Sequence, residues 1–326
     1  MSSPDRYPGL DGLRAISILL VLACHMVPLG PSLLQLNFTA GALGMSIFFS
    51  LSGFLITSTL LNNPSLFEFA LRRFARIAPL LYLYLFVFFA IGLIHSDNAF
   101  MTSVFLINYF PQFRNGFTVH LWSLCVEMHF YLALGVVVLI SGQRGIWVVW
   151  PACIAVMVLK IIAGNSYPYA THLRLDELLV GACIATVYPL IKNRTSSVVF
   201  VLIAAIVCAI TASPYASWAQ YFRCYAVAIL MASVLCHSNT WLSRLLASRS
   251  MAYIASISYA LYVIHYATIQ GWMHEGDRTT RMIKRLLSFL ITFFAASLSK
   301  HWEIMWQTLA KNFIRRRRQK RIPVST

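Results

Sequence analysis

Two stretches of otherwise apolar sequence carry side chains able to handle an anion and a proton. Residues 10–29 contain Asp11, Arg14 and His25. In a helix turning 100° per residue, the eleven-residue step from Arg14 to His25 returns to within about 20° of the same face. The two side chains then lie roughly 16.5 Å apart along the axis. Asp11 is one turn before Arg14 and able to pair with it. Residues 118–140 open on His120, Trp122 and Ser123 and continue through Glu127 to Tyr131. The steps from His120 to Glu127, Ser123 to Glu127 and Glu127 to Tyr131 put these side chains on one helix face, while His129 points elsewhere. An imidazole beside a carboxylate is the pairing of general-base chemistry. The structural reading of the same residues is an arginine reaching for headgroups and a histidine and a glutamate bonded between helices. Spacing alone leaves both readings open.

Further candidates are less specific. Arg72, Arg73 and Arg76 precede Pro79 at the start of an apolar run. Three guanidiniums there make either a bidentate phosphate clamp or an ordinary interfacial anchor. Arg174, Asp176 and Glu177 open another run and read as an internal ion pair or a span boundary. Tyr259 and His265 lie six residues apart, lining a cavity or packing helices.

The elements that must position these groups follow from composition. Hydrophobic types make up 59% of the 326 residues and charged types 11%, against about 45–50% and 25% in soluble domains; mean hydropathy is +0.71. This excludes a soluble enzyme, a disordered chain and a coiled coil. The pattern predicts an all-α, polytopic transmembrane bundle of about ten spans, over 10–29, 39–61, 77–95, 118–140, 145–163, 172–190, 197–213, 218–237, 252–272 and 285–309, with 100–110 as an interfacial or re-entrant piece. One domain, 1–326, is expected, with a short N-terminus 1–9 and a basic tail 310–326. Lys and Arg total 26 against 10 Asp and Glu. This surplus lies mostly between apolar runs and reads as headgroup anchoring, not nucleic-acid binding. Its distribution puts both termini in the cytoplasm; the loop with Arg278, Arg281, Lys284 and Arg285 opposes that assignment. The seven cysteines sit in apolar runs without metal-ligand spacing, so neither a disulfide framework nor a metal site is expected, and no cleavable leader is evident.

Taken in order, the motifs resemble the acyltransferase 3 family of bacterial integral-membrane O-acyltransferases. The resemblance rests on Leu10-Asp11-Gly12-Leu13-Arg14-Ala15 with His25, on Gly44 to Thr57 with its Phe-Phe and Ser-Gly-Phe-Leu-Ile pairs, and on Arg72, Arg73, Arg76, Ile77 and Pro79. It continues through Trp122-Ser123-Leu124, Glu127 and Phe130-Tyr131-Leu132, then Arg174 to Gly181 and Ser258-Tyr259, Tyr262 and His265. Ser46 departs from the pattern, standing where many relatives carry an acid. The expectation is a stand-alone member, without a C-terminal hydrolase-like domain.

The resemblance implies transfer of an acyl group, usually acetyl, from acetyl-CoA to a hydroxyl of a carbohydrate: a surface polysaccharide, O-antigen, exopolysaccharide or oligosaccharide, lipid-linked or free. The setting is the bacterial cytoplasmic membrane, with no tightly bound cofactor. Arg14, Arg72, Arg73 and Arg76 are then donor-phosphate contacts. His25 is the general base, either deprotonating the acceptor directly or first taking the acyl group itself, and Glu127 orients it. Ser52 or the backbone N–H near Gly53 stabilises the oxyanion. Asp11, His120, Trp122, Ser123, Tyr131, Arg174, Tyr259 and His265 support the site. A flippase for a lipid-linked sugar would use the same buried charges, although no inverted repeat is visible; a scaffold without chemistry is the third reading.

Overall fold

The computed structural model describes residues 7–63, 65–95, 115–237, 240–273 and 275–319. The stretch 100–110, most of the N-terminal segment 1–9, Arg114 and the last residues of the basic tail fall outside these. Among the described residues there is no strand. The helices are α1 (Pro8–Met26), α2 (Leu36–Asn62), α3 (Leu66–Ala90), α4 (Trp122–Ser141), α5 (Val149–Ile162), α6 (Thr171–Arg174), α7 (Asp176–Ile191), α8 (Val198–Ala212), α9 (Arg223–Leu235), α10 (Trp241–Leu246), α11 (Arg249–Ile269) and α12 (Arg278–Gln319). Local chemistry sets several starts. Ser65, Ser197 and Ser248 accept the backbone N–H three residues on, and Asp277 does the same for Thr280 at 3.0 Å, satisfying donors that a helix start leaves free.

The long helices run between two ends of one bundle. At one end Tyr7 meets Phe54 and Tyr188, Gln143 reaches Leu61 O at 2.6 Å, His237 Nδ1 lies 2.7 Å from Ser196 O and Arg318 pairs with Glu68. At the other, Asn37 donates to Val27 O at 2.6 Å, Tyr215 donates to Leu33 O at 2.5 Å and Ser166 donates to Gln220 at 2.6 Å. The first end gathers Arg72, Arg144, Lys192, Arg194 and Arg244. Each of the ten expected spans overlaps a helix, but seven helical segments are long and apolar enough by themselves to cross a membrane: 8–26, 32–62, 66–90, 119–162, 217–235, 249–269 and 278–319. α5, α7 and α8 have 14, 16 and 15 residues, about 21–24 Å at 1.5 Å each, against a hydrocarbon core of roughly 30 Å. The basic tail expected from residue 310 is not a separate segment through Gln319. It continues α12, a helix of 42 residues, and Arg317 packs over Phe67, 4.0 Å from the ring centre.

α2 is the axial helix, enclosed by α1, α7, α8 and α9. Its crossing with α7 is made by two glycines. A Cβ on Gly53 would stand 1.9 Å from Leu178 O, and one on Gly181 1.9 Å from Ser50 O. No larger residue fits between the backbones. Outward faces are the reverse: on α12, Leu286, Leu290, Phe294 and Leu298 are all more than half exposed, an apolar belt suited to lipid and not to water.

One set of charged groups inside the bundle is paired across helices. Lys160 of α5 bonds Asp176 of α7. Arg223 of α9 bonds Glu177 at 2.9 Å, and Arg174 lies 3.3 Å from the same carboxylate. Ser46 accepts from Arg223 Nε at 2.8 Å and donates to Glu177 Oε1 at 2.9 Å, so the acid missing from α2 is supplied by α7. Removing one partner of such a pair leaves a charge buried alone, at a cost of about 3–5 kcal/mol. Asp176→Asn is therefore expected to lower the melting temperature in detergent markedly. Lys160→Met combined with Asp176→Leu should recover most of the loss.

Candidate active site

α1 and α11 run parallel and α4 runs against them, so residues far apart in sequence meet in three cavities along the bundle axis. The first, about 330 Å³, lies between α1, α3, α11 and α12 and is lined by Asp11, Arg14, Arg76, Tyr259, Lys300 and Glu303 among others. Arg14, Arg76 and Tyr259 also line the second, of about 40 Å³, with Ser52, Arg73, Glu127 and Tyr131. On a scale where one water needs roughly 10–15 Å³, this space holds only a few. The third, about 210 Å³, is lined by His25, His120, Trp122, Tyr167, Tyr169, Tyr262 and Tyr266, with Phe38 and Met45.

Three arginines face the first two cavities with their hydrogen-bonding donors unengaged. Arg14 and Arg76 make no hydrogen bond or ion pair among the described residues. Arg73 touches only aromatic faces, 5.7 Å from the Phe69 ring and 5.8 Å from Tyr131. Arg72, expected beside them, is drawn away: it is exposed and donates to Glu68, one turn back, at 2.9 Å. Arg73 and Arg76 are one turn apart on the inward side of α3, whereas Arg72 shares the Glu68 carboxylate with Arg318.

Glu127 belongs to this arginine compartment. Ser52 Oγ and Tyr131 Oη both donate to Glu127 Oε1, and the two hydroxyls are 3.3 Å apart. The carboxylate was expected to orient His25. The structure does not bring them together: the two residues line different cavities and share no bond. Between the compartments stand Phe48, which lines the second cavity, and Tyr262, which lines the third. Their rings stack nearly parallel, 9° between planes and 6.1 Å between centres. Tyr262 is held there by Ser123, 2.6 Å from its hydroxyl, and by donating to His120 O. Gly53 is also corrected. It lies in the interior of α2, where its N–H is committed to the helix and its Cα abuts Leu178, so it offers no oxyanion donor.

His25 sits in the last turn of α1 with its ring 5.3 Å from His265 and 5.1 Å from Tyr266. Tyr266 lies flat on His120, at 4.5 Å and 4°. Trp122 meets Tyr169 edge-on at 5.1 Å. Arg174 stands behind the wall, 4.1 Å from the centre of the Tyr167 ring and 5.5 Å from Trp122. Arg223 is 4.9 Å from the Tyr167 centre, so this ring packs against two guanidiniums. Tyr259 donates to Ile77 O at 2.6 Å, tying α11 to α3 next to Pro79. His129 turns away to Thr171, as its azimuth predicts. Among the described residues no group of His, Cys, Asp and Glu is arranged to hold a metal ion. Sequence reading used Phe48 only as part of a motif, without a role, and passed over Tyr167, Tyr169, Tyr266 and Lys300. Only Lys300, a cation in an apolar run, carried a signal; aromatic residues in loops and apolar helices are too common to stand out.

Comparison with known proteins agrees with the motif reading. The acyltransferase 3 family, described as an acyltransferase domain, matches residues 7–300. A Bacillus subtilis protein provisionally named peptidoglycan O-acetyltransferase YrhL is 31% identical over 80% of this chain and 48% of its own length. A Staphylococcus aureus protein provisionally named an O-acetyltransferase is 30% identical over 80% and 50%. The peptidoglycan O-acetyltransferase OatA of Listeria monocytogenes is 29% identical over 90% and 54%. The chain thus spans about half the length of the curated relatives it matches. No solved structure matches it.

The arginine geometry separates neighbours in sequence. With coenzyme A as the probe of an anion site there, Arg76→Ala is expected to weaken its binding at least tenfold, measured by calorimetry in nanodiscs, and Arg72→Ala less than threefold; no binding to the wild type would remove the arginines as a phosphate site.

Proposed function

Because the chain belongs to the acyltransferase 3 family, we propose that it moves acetyl from acetyl-CoA to a hydroxyl of a cell-envelope polysaccharide such as peptidoglycan. The single observation that carries this reading is the set of three unengaged guanidiniums, Arg14, Arg73 and Arg76, on cavities aligned with His25. A phosphate-bearing donor satisfies them bidentately, and the high net positive charge of +16 favours a polyanion. The phosphates rest in the 330 Å³ cavity, with Lys300 adding a charge. The extended arm of the donor then points along α1 past Ser52 and Glu127 toward Phe48 and Tyr262. Passage of the thioester requires that this ring pair part, which makes it the barrier between donor and acceptor compartments.

The aromatic cavity of about 210 Å³ suits one sugar ring. Aromatic faces pack against the C–H face of a pyranose, and Tyr and Trp add polar tips for its hydroxyls. His25 takes the proton of the acceptor hydroxyl as its oxygen attacks the thioester carbonyl; the C–O bond forms, the C–S bond breaks, and the thiolate recovers the proton. Glu127, held by Ser52 and Tyr131, acts in the donor compartment, where it balances the arginines when no donor is bound. The bundle sits in the bacterial cytoplasmic membrane with ten crossings, the three short helices being completed by their 3-10 turns and loops. Its basic end, with both termini, faces the cytoplasm.

The test is purified protein in nanodiscs with labelled acetyl-CoA and peptidoglycan fragments. We expect label on the glycan, and His25→Ala to reduce the rate about 10²–10⁴-fold. Movement of a glycan without consumption of thioester would instead identify a flippase. Full transfer by His25→Ala at normal abundance would remove His25 from the chemistry.

A further inference from the structure

Separating Glu127 from His25 leaves open what holds the His25 ring. His265, in α11, has no exposed surface. Its Nδ1 lies 2.6 Å from the carbonyl oxygen of Tyr262. A carbonyl only accepts, so Nδ1 carries the hydrogen, and in the neutral ring Nε2 is a bare lone pair. That Nε2 is buried and has no partner. His120 repeats the arrangement with its nitrogens exchanged. Nε2 lies 3.0 Å from Val263 O and must donate, which leaves Nδ1 buried, bare and without a partner. Two adjacent imidazoles, their rings 5.2 Å apart, are each locked by a carbonyl of α11 into a tautomer that presents an unsatisfied acceptor. A buried acceptor without a donor is destabilising, so the pair is built to receive an N–H or O–H.

His25 is the ring placed to supply one. It makes no hydrogen bond among the described residues, and its centre is 5.3 Å from that of His265, with 36° between planes. Two imidazoles joined N–H to N have centres roughly 5 Å apart, an N···N distance near 2.9 Å plus two ring radii. The separation is therefore already that of a bonded pair, and rotation of the His25 ring closes the bond without moving a helix.

We infer that His265 is the positioning residue for His25: its Nε2 accepts the His25 N–H, fixes the His25 tautomer and leaves the other His25 nitrogen as the bare base facing the aromatic cavity. The orienting acceptor of this site is thus a second imidazole held by a backbone carbonyl, in the place a carboxylate takes in the serine triad. When His25 takes the acceptor proton, both of its nitrogens carry hydrogen. One stays bonded to His265, and the other returns its proton to the departing thiolate. His120 offers the second acceptor of the pocket, to a hydroxyl or a water. The inference rests on the reading of His25 as the base, but its first test does not need turnover.

Magic-angle-spinning NMR of the full-length protein with ¹⁵N-labelled histidine in bilayers, with the His25 signals assigned by loss in His25→Gln, reports the His25 tautomer directly. We expect one tautomer in the wild type and a mixture in His265→Phe. In the transfer assay His265→Phe should lower kcat about 10–100-fold, the range for lost orienting contacts, with the KM for acetyl-CoA changed less than twofold. His265→Gln, whose amide oxygen accepts in the same place, should restore a single tautomer and at least a third of the lost kcat on a logarithmic scale. If His265→Phe does not accumulate, the comparison of His265→Gln with His265→Leu decides. An unchanged His25 tautomer in the variant lacking an acceptor, or equal kcat for the variants with and without one, overturns the proposal. A wild type that fixes the tautomer yet transfers no acetyl would overturn the proposed function and leave this assignment standing.

Discussion

A guanidinium inside a helical bundle has two stable situations: a carboxylate partner, or a cavity that a ligand can fill. This chain uses both, in separate places. Arg174 and Arg223 close on Glu177, and Lys160 closes on Asp176, all with essentially no exposed surface. Arg14, Arg73 and Arg76 have no such partner among the described residues and face adjoining cavities that share Arg14, Arg76 and Tyr259 in their walls. The paired set joins α5, α7, α9 and, through Ser46, α2. The unpaired set joins α1 and α3 around open space. The difference follows from where the few acids stand, because the sequence holds 10 Asp and Glu against 26 Lys and Arg and cannot neutralise every cation.

The glycine crossing of α2 on α7 makes this division possible. With Gly53 and Gly181 removing any side chain from the contact, α7 comes close enough for Glu177 to reach Ser46 and for Arg174 to stand behind Tyr167. The paired charges are thereby drawn to one side of α2, and its opposite side is left for Ser52 and Phe48 to meet α3, α4 and α11. One close backbone approach therefore shapes the wall of the aromatic cavity and the floor of the arginine compartment.

The resulting site is linear. Arginines, a hydroxyl-bonded carboxylate, a stacked pair of rings and an imidazole cluster follow one another along α1, roughly half the apolar thickness from Arg14 to His25. Such a layout fits a long donor and a small acceptor approaching from opposite ends. It also distributes the acid and the imidazole between two compartments, giving Glu127 hydroxyl partners and setting the His25 ring beside imidazoles fixed by carbonyls.

Residue type and period alone determined the all-helical bundle, a helix under each expected span though not its ends, and the family. These are local properties: an apolar run of sufficient length has to be helical in lipid, and a 3.6-residue period places side chains without reference to neighbours. The same reasoning put Glu127 beside His25, because both lie on inward faces, and counted Arg72 with its neighbours. Tertiary structure decided otherwise. The relative depth of two helices determines which inward-facing residues meet, and no period within either helix encodes that depth. Likewise, Glu68 captures Arg72, Leu178 occupies the space beside Gly53, and the carbonyls of Tyr262 and Val263 select the tautomers of His265 and His120, all through contacts that exist only once the helices have packed.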